Sequence, residues 1–141
     1  MLTMFELEFI KAEAQFRSGD LAGARGSMEQ GIAANMSYLG VASDSAQLYI
    51  DSLPGATTLK LIMEEKYISM FTQGESWTDW RRTGYPTLSA DPLWYLTEIP
   101  RRMPYPESEY LYNNQQVPMP EDATFDERYG ISSEYRIFWD K

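Results

Sequence analysis

The sequence predicts a mainly α-helical protein whose last third is an irregular layer rich in proline and tyrosine, and three observations carry that reading. Apolar residues recur at three- and four-residue steps from Leu2 to about Arg82, the period of helices with one buried face. Seven of the eight prolines and seven of the ten tyrosines lie at or after Tyr85, a density that forbids long helices and central strands there. Apolar residues make up 43% of the 141 and aromatics 14%, more than a disordered chain carries. The irregular part is therefore expected to drape on the helices. We expect a single domain over 1–141, helical over 1–84 and irregular over 85–141.

The first helix is expected to set Leu2, Phe5, Phe9, Ala12 and Phe16 along one face, with Glu13 and Arg17 paired four apart on a solvated flank. Ser18-Gly19-Asp20 stops it, and Asp20 is placed to cap a second helix carrying Leu21, Ala24, Met28 and Ile32 to about Met36. A short third helix runs from about Asp44 to Leu53 and ends at Pro54-Gly55. The fourth has the widest apolar face, formed by Leu59, Ile62, Met63, Tyr67, Met70 and Phe71, with Gly74 as its stop. A brief fifth holds Trp77, Asp79, Trp80 and Arg81 and closes at Gly84, with Pro86 just beyond.

Composition removes several kinds of chemistry. A net charge of −9 repels polyanions, so nucleic acid is not an expected partner. Cysteine and histidine are both absent, which excludes disulfides, thiolate nucleophiles, the usual general base and the commonest transition-metal ligand. No zinc spacing, calcium loop or phosphate-cradling glycine loop is present, so no metal and no cofactor is expected. Carboxylate pairs do occur, Glu75 with Asp79 and Glu64 with Glu65. A glycosidase needs two such groups at a set separation. Helix surfaces supply these pairs by chance, however, and Asp79 has a nearer task beside Arg81 or Arg82. The chain is read as a non-enzyme.

Three stretches are candidates for binding or packing. FIKAEAQFRSGDLAGARGSMEQGI, residues 9–32, is similar to a tetratricopeptide-type helical hairpin. Small Ala12, Ala24 and Gly31 let two helices approach, while Leu21, Met28 and Ile32 fill the gaps. Such a hairpin cannot cover its own apolar face and needs neighbours. GESWTDWRRTGYPTL, residues 74–88, puts Trp77 and Trp80 on one side of a helix with Arg81 flanking them. Flat rings and guanidinium groups serve a sugar platform and a packed joint equally well. Position, at the meeting of the helical and irregular parts, favours the joint. In LSADPLWYLTEIP and YLYNNQQVP, residues 88–100 and 110–118, aromatic rings stand beside turn residues and side-chain amides. Those groups suit pyranose faces and hydroxyls, and they also suit inward packing and turns. Trp94, Tyr95, Tyr112 and Asn114 are the candidate sugar contacts.

Taken together, FIKAEAQFRSGDLAGA, IMEEKYISMFTQGESWTDWRRTGYPTL, IPRRMPYPESE with Asn113 and Asn114 after it, and the closing FWD at 138–140 resemble the C-terminal part of the SusD/RagB family. Phe138 stands where that resemblance leads us to expect a tryptophan. The resemblance implies a SusD-like superhelix of tetratricopeptide-like hairpins, and a chain that is the C-terminal fragment of a longer lipoprotein on the outer-membrane surface. It implies capture of oligosaccharide without chemistry and its delivery to a SusC-like, TonB-dependent transporter. The competing expectation is a helical-repeat module whose partner is another protein.

Overall fold

Four helix starts among the described residues fall where a hydroxyl or carboxylate satisfies a free amide of the first turn. The computed structural model describes residues 2–91, 98–119 and 123–131, and the chain divides into two units, Met1–Pro86 and Thr87–Lys141. In the first unit, α1 (Met4–Ser18) is opened by Thr3, whose hydroxyl accepts from the Glu6 amide. The Glu6 carboxylate accepts from the Thr3 amide in return, a capping box. Gly19, at φ 89°, ends α1, and the Asp20 carboxylate caps α2 (Leu21–Tyr38) by accepting from the Gly23 amide at 2.8 Å. The shorter α3 (Ser43–Ser52) follows. Thr58 caps α4 (Leu59–Ser69), and α5 (Glu75–Thr83) closes at Gly84 with φ 75°.

Burial gathers Phe9, Ala12, Ala24, Met28, Ile32, Ile50, Leu61, Ile62 and Met63 into one core drawn from α1 to α4. Close approach of α1 and α2 rests on Gly31. A Cβ there would meet the buried Phe9 ring at 3.0 to 3.3 Å. Across the hairpin the Ser27 hydroxyl donates to the Gln15 side chain at 2.7 Å, and the Asn35 amide donates to the Ser69 carbonyl of α4 at 3.2 Å. The α3 helix is tied by the Tyr49 hydroxyl, which donates to the Glu65 carboxylate at 3.0 Å.

Three members of the expected apolar faces fall outside the core. Leu2 precedes α1, Leu21 is the first residue of α2 and Phe71 lies past the end of α4, and all three are exposed. Periodicity extends a stripe in sequence beyond the point where the helix itself ends. The stop of α4 is also earlier than Gly74. The chain leaves at Ser69, Thr72 takes a left-handed φ of 69°, and Gly74 instead caps the front of α5 at φ −62°.

In the second unit the helices are short, as the proline density requires: α6 (Glu107–Tyr112), a 3₁₀ turn at Asn114–Gln116 and α7 (Phe125–Arg128). The Asn113-Asn114 pair, offered by the sequence as turn material, ends α6 and opens the 3₁₀ turn. Pro106 fixes the backbone just before α6, and Glu107 and Glu109 in its first turn complement the helix dipole. No strand occurs among the described residues.

Candidate functional site

The tryptophan- and arginine-rich α5 helix is held by a chain of charges. The Lys66 ammonium meets the Asp79 carboxylate at 2.6 Å, and Arg82 reaches the other Asp79 oxygen at 2.7 Å. Arg82 also forks onto both oxygens of Glu13 on α1, with the Nη2 branch at 2.7 Å, and Arg17 donates to the same carboxylate at 2.8 Å. Glu13 is thus buried and shared between two arginines; the expected partner Arg17 is present and exposed, but Glu13 itself is not solvated. Burial raises the Glu13 pKa, and the hydrogen bonds and charges of Arg82 and Arg17 more than reverse this, so its carboxyl lies below the ordinary value. Trp80 is buried, and the Arg81 guanidinium lies 3.8 Å from the centre of the half-buried Trp77 ring. Within the first unit, Asp79 and Arg82 tie α5 to α4 and α1.

Three of the four carboxylates in the expected pairs are likewise engaged in structure. Asp79 serves Lys66 and Arg82. Glu65 is buried under the Tyr49 hydroxyl, and desolvation raises its pKa against the hydrogen bond, while Lys60 lies 3.8 Å from Glu64.

The second unit holds an open cleft of about 720 Å³, within the range of small-molecule sites. One wall is α7, where the Thr124–Glu127 capping box sets the helix start. Phe125 and Tyr129, four residues apart, project near-parallel rings from it, with centroids 6.1 Å apart and planes at 9°. The facing wall is α6, which contributes Glu107, Tyr110 and Leu111. Pro104 and Tyr105 line the approach to α6.

The walls are laced together within the unit. The Arg101 and Arg102 amides both donate to the Tyr129 carbonyl at 3.0 Å. Gly130 takes φ 67° there, and a Cβ on it would meet the Arg102 side chain at 2.7 Å. Arg102 lies over the Tyr105 ring at 4.6 Å, and Arg128 lies 5.2 Å from the Tyr110 centroid while its Nε donates to the Ala123 carbonyl at 2.9 Å. Tyr110 makes a weak hydroxyl contact with the buried Met119 sulfur at 3.6 Å. Four aromatic rings, one arginine, one glutamate and a threonine hydroxyl thus converge on one cavity whose lining carries no net charge.

Of the residues singled out from sequence, Tyr112 ends α6 at 89% exposure and Asn114 opens the 3₁₀ turn, also exposed. Tyr112 is one residue beyond the lining Leu111 and is not part of the cavity wall. Trp94, Tyr95 and the closing FWD lie outside the described residues. Sequence reasoning missed Tyr105, Tyr110, Phe125 and Tyr129. A signal for one wall was present in TFDERYG, where a threonine cap three residues before a glutamate starts a turn that aligns Phe125 with Tyr129.

An aromatic cleft with balanced polar groups has the chemistry to accommodate an uncharged, hydroxyl-rich or flat molecule. Residues 1–106 match the model of the SusD-like family described as starch-binding and associating with the outer membrane. That match covers well over half of the chain, so the protein belongs to the SusD-like family. No curated protein and no solved structure matches the chain.

Proposed function

We propose that this protein is a non-catalytic oligosaccharide-binding component of an outer-membrane uptake system, and that the cleft between α6 and α7 contacts the sugar. Family membership supplies the class of ligand and the membrane association. The observation that carries the reading to particular residues is the convergence of Tyr105, Tyr110, Phe125 and Tyr129 on a cavity that also holds Arg128, Glu107 and Thr124. Aromatic faces take the C–H surface of a pyranose, while the Glu107 carboxylate and the Arg128 guanidinium pair with its hydroxyls. In this reading Trp94, Tyr95, Tyr112 and Asn114 remain candidate sugar contacts, the α1–α2 hairpin is one tetratricopeptide-type repeat, and the cargo passes to a SusC-like, TonB-dependent transporter from a lipid-anchored, surface-exposed protein.

Calorimetry with maltooligosaccharides tests it, since starch is the glycan the family description names. Tyr129→Ala and Tyr110→Ala are each expected to weaken binding about tenfold, the loss of one stacking ring. A panel of neutral glycans that all fail to bind, or unchanged affinity in both variants, overturns the assignment.

A further inference from the structure

The cleft between α6 and α7 is balanced in formal charge but not in the charge it has left to offer. Two charged groups line it, Glu107 and Arg128. Arg128 is tethered twice: its Nε donates to the Ala123 carbonyl at 2.9 Å, and its guanidinium lies 5.2 Å from the centre of the Tyr110 ring. A carbonyl oxygen and a ring face each offset part of a cation's charge. Glu107, exposed in the first turn of α6, has no hydrogen bond or ion pair among the described residues.

The neighbouring charges are engaged elsewhere. Glu109 accepts from the Asn113 side-chain amide at 2.9 Å, Glu127 serves the Thr124 capping box, and Arg102 lies over the Tyr105 ring. The rings divide in the same way. Tyr105 and Tyr110 each carry an arginine, whereas among the described residues no guanidinium lies over Phe125 or Tyr129, which stack on each other. Their faces are open to a cation.

We propose that Glu107 makes the cleft selective by charge, so that a glycan bearing an ammonium group is held more tightly than its neutral counterpart and one bearing a carboxylate is turned away. The inference rests on the cleft being the sugar site, and it adds the class of sugar: amino glycans first, neutral glycans second, uronic acids last. An ammonium in the cleft gains a charge-assisted hydrogen bond to the unshared carboxylate and attraction from the open ring faces. A sugar carboxylate there meets like charge, while the cation on the lining is already committed. The net charge of −9 acts in the same sense at longer range.

Calorimetry of the whole chain at neutral pH with three maltooligosaccharides tests the proposal: the unmodified sugar, one with its primary hydroxyls converted to amines, and one with them oxidised to carboxylates. The wild-type protein is expected to prefer the amine to the carboxylate by roughly 30-fold or more, and Glu107→Gln should shrink that ratio about tenfold. Salt at about 0.5 M should compress the wild-type ratio in the same direction. Glu109→Gln is the control. It removes the same charge from a position off the lining and should keep the wild-type ratio. Suppose the neutral sugar binds and is weakened by Tyr129→Ala, yet Glu107→Gln leaves the ratio as it was: the charge selectivity is then overturned and the sugar site stands. An equal loss of ratio in Glu109→Gln also overturns it, because the preference then belongs to net charge alone. Failure of all three sugars to bind overturns both the site and its selectivity.

Discussion

Replacing Arg82 by methionine removes the fork onto Glu13 and one of the two cations beside Asp79, while keeping most of the side-chain volume. The cost lies between two known limits. Exposed ion pairs contribute about 0–1 kcal/mol, whereas stripping one partner from a fully buried pair costs about 3–5 kcal/mol. Glu13 and Asp79 are mostly buried, with side chains 12% and 16% exposed, but Arg82 itself is 37% exposed and each acid retains a second cation, Arg17 or Lys66. Solvent screening and these remaining partners discount the buried limit to about 2 kcal/mol. For a unit of this size that corresponds to a fall in Tm of roughly 10 °C.

Chemical denaturation of Arg82→Met, Glu13→Gln and the double variant measures the coupling, expected at about 1 kcal/mol or more. The pH dependence supplies a second reading. Because Glu13 titrates below its ordinary value in the folded protein, its stabilisation is present above that value, 4.5, and is lost as pH falls through the lower folded pKa. The wild-type and Arg82→Met stabilities should therefore converge on acidification below pH 4.5 and remain apart at neutrality. An Arg82→Met loss no larger than that of Arg17→Met, whose arginine is 54% exposed and expected to contribute under about 1 kcal/mol, would refute the view of α5 as an ionically fastened element.

Other substitutions test separate joints. Tyr49→Phe removes the donor to the buried Glu65 carboxylate and should cost about 1–3 kcal/mol at neutral pH by urea denaturation. Burial, with the neighbouring Glu65 charge and hydrogen bond, holds the Tyr49 hydroxyl up at about 12, so its contribution is full below pH 10 and should disappear between pH 10 and 12, a decline absent in Tyr49→Phe. Gly31→Ala should destabilise by about 1–3 kcal/mol, since the added methyl meets the fully buried Phe9 ring. Gly26→Ala, where nothing lies within 4 Å, should instead stabilise by up to about 1 kcal/mol in the same thermal melts.

The helical unit was legible in the sequence because its signals are local. Asp20 announces a cap, Gly19 and Gly84 announce helix ends, and Phe5, Phe9 and Ala12 announce a buried face at the right period. Gly31 could be read as a point of close approach before any partner was known, and Phe9 is that partner. What escaped were the long-range pairings. Glu13 has a satisfactory partner four residues away, so nothing local signals that Arg82, 69 positions later, takes both its oxygens. The cleft was hidden for the same reason. Tyr105, Tyr110, Phe125 and Tyr129 lie in three segments with no shared period, and long-range contacts bring them together: the backbone bonds from Arg101 and Arg102 to Tyr129, and Arg128 over the Tyr110 ring.

These two kinds of legibility bear on where cargo selectivity resides. The family match ends at residue 106, so it includes the ionic fastening of α5 and the Pro104–Tyr105 approach to the cleft, but neither α6 nor α7. The aromatic and charged groups of α5 resemble a sugar platform in composition, yet Asp79 and Arg82 are committed to Lys66 and Glu13, and Trp80 is buried. Groups already satisfied internally have little left to offer a hydroxyl-rich ligand, because each new contact would first have to break an existing one. The α6 and α7 walls differ in the apolar and ring surface they present: Leu111 and Phe125 are largely exposed, and Tyr105, Tyr110 and Tyr129 line a cavity. If these walls set the choice of glycan, exchanging Phe125 for tyrosine or tryptophan should change relative affinities across a glycan panel while leaving Tm nearly unchanged. Substitutions in α5 should do the opposite, lowering Tm without altering the order of preference.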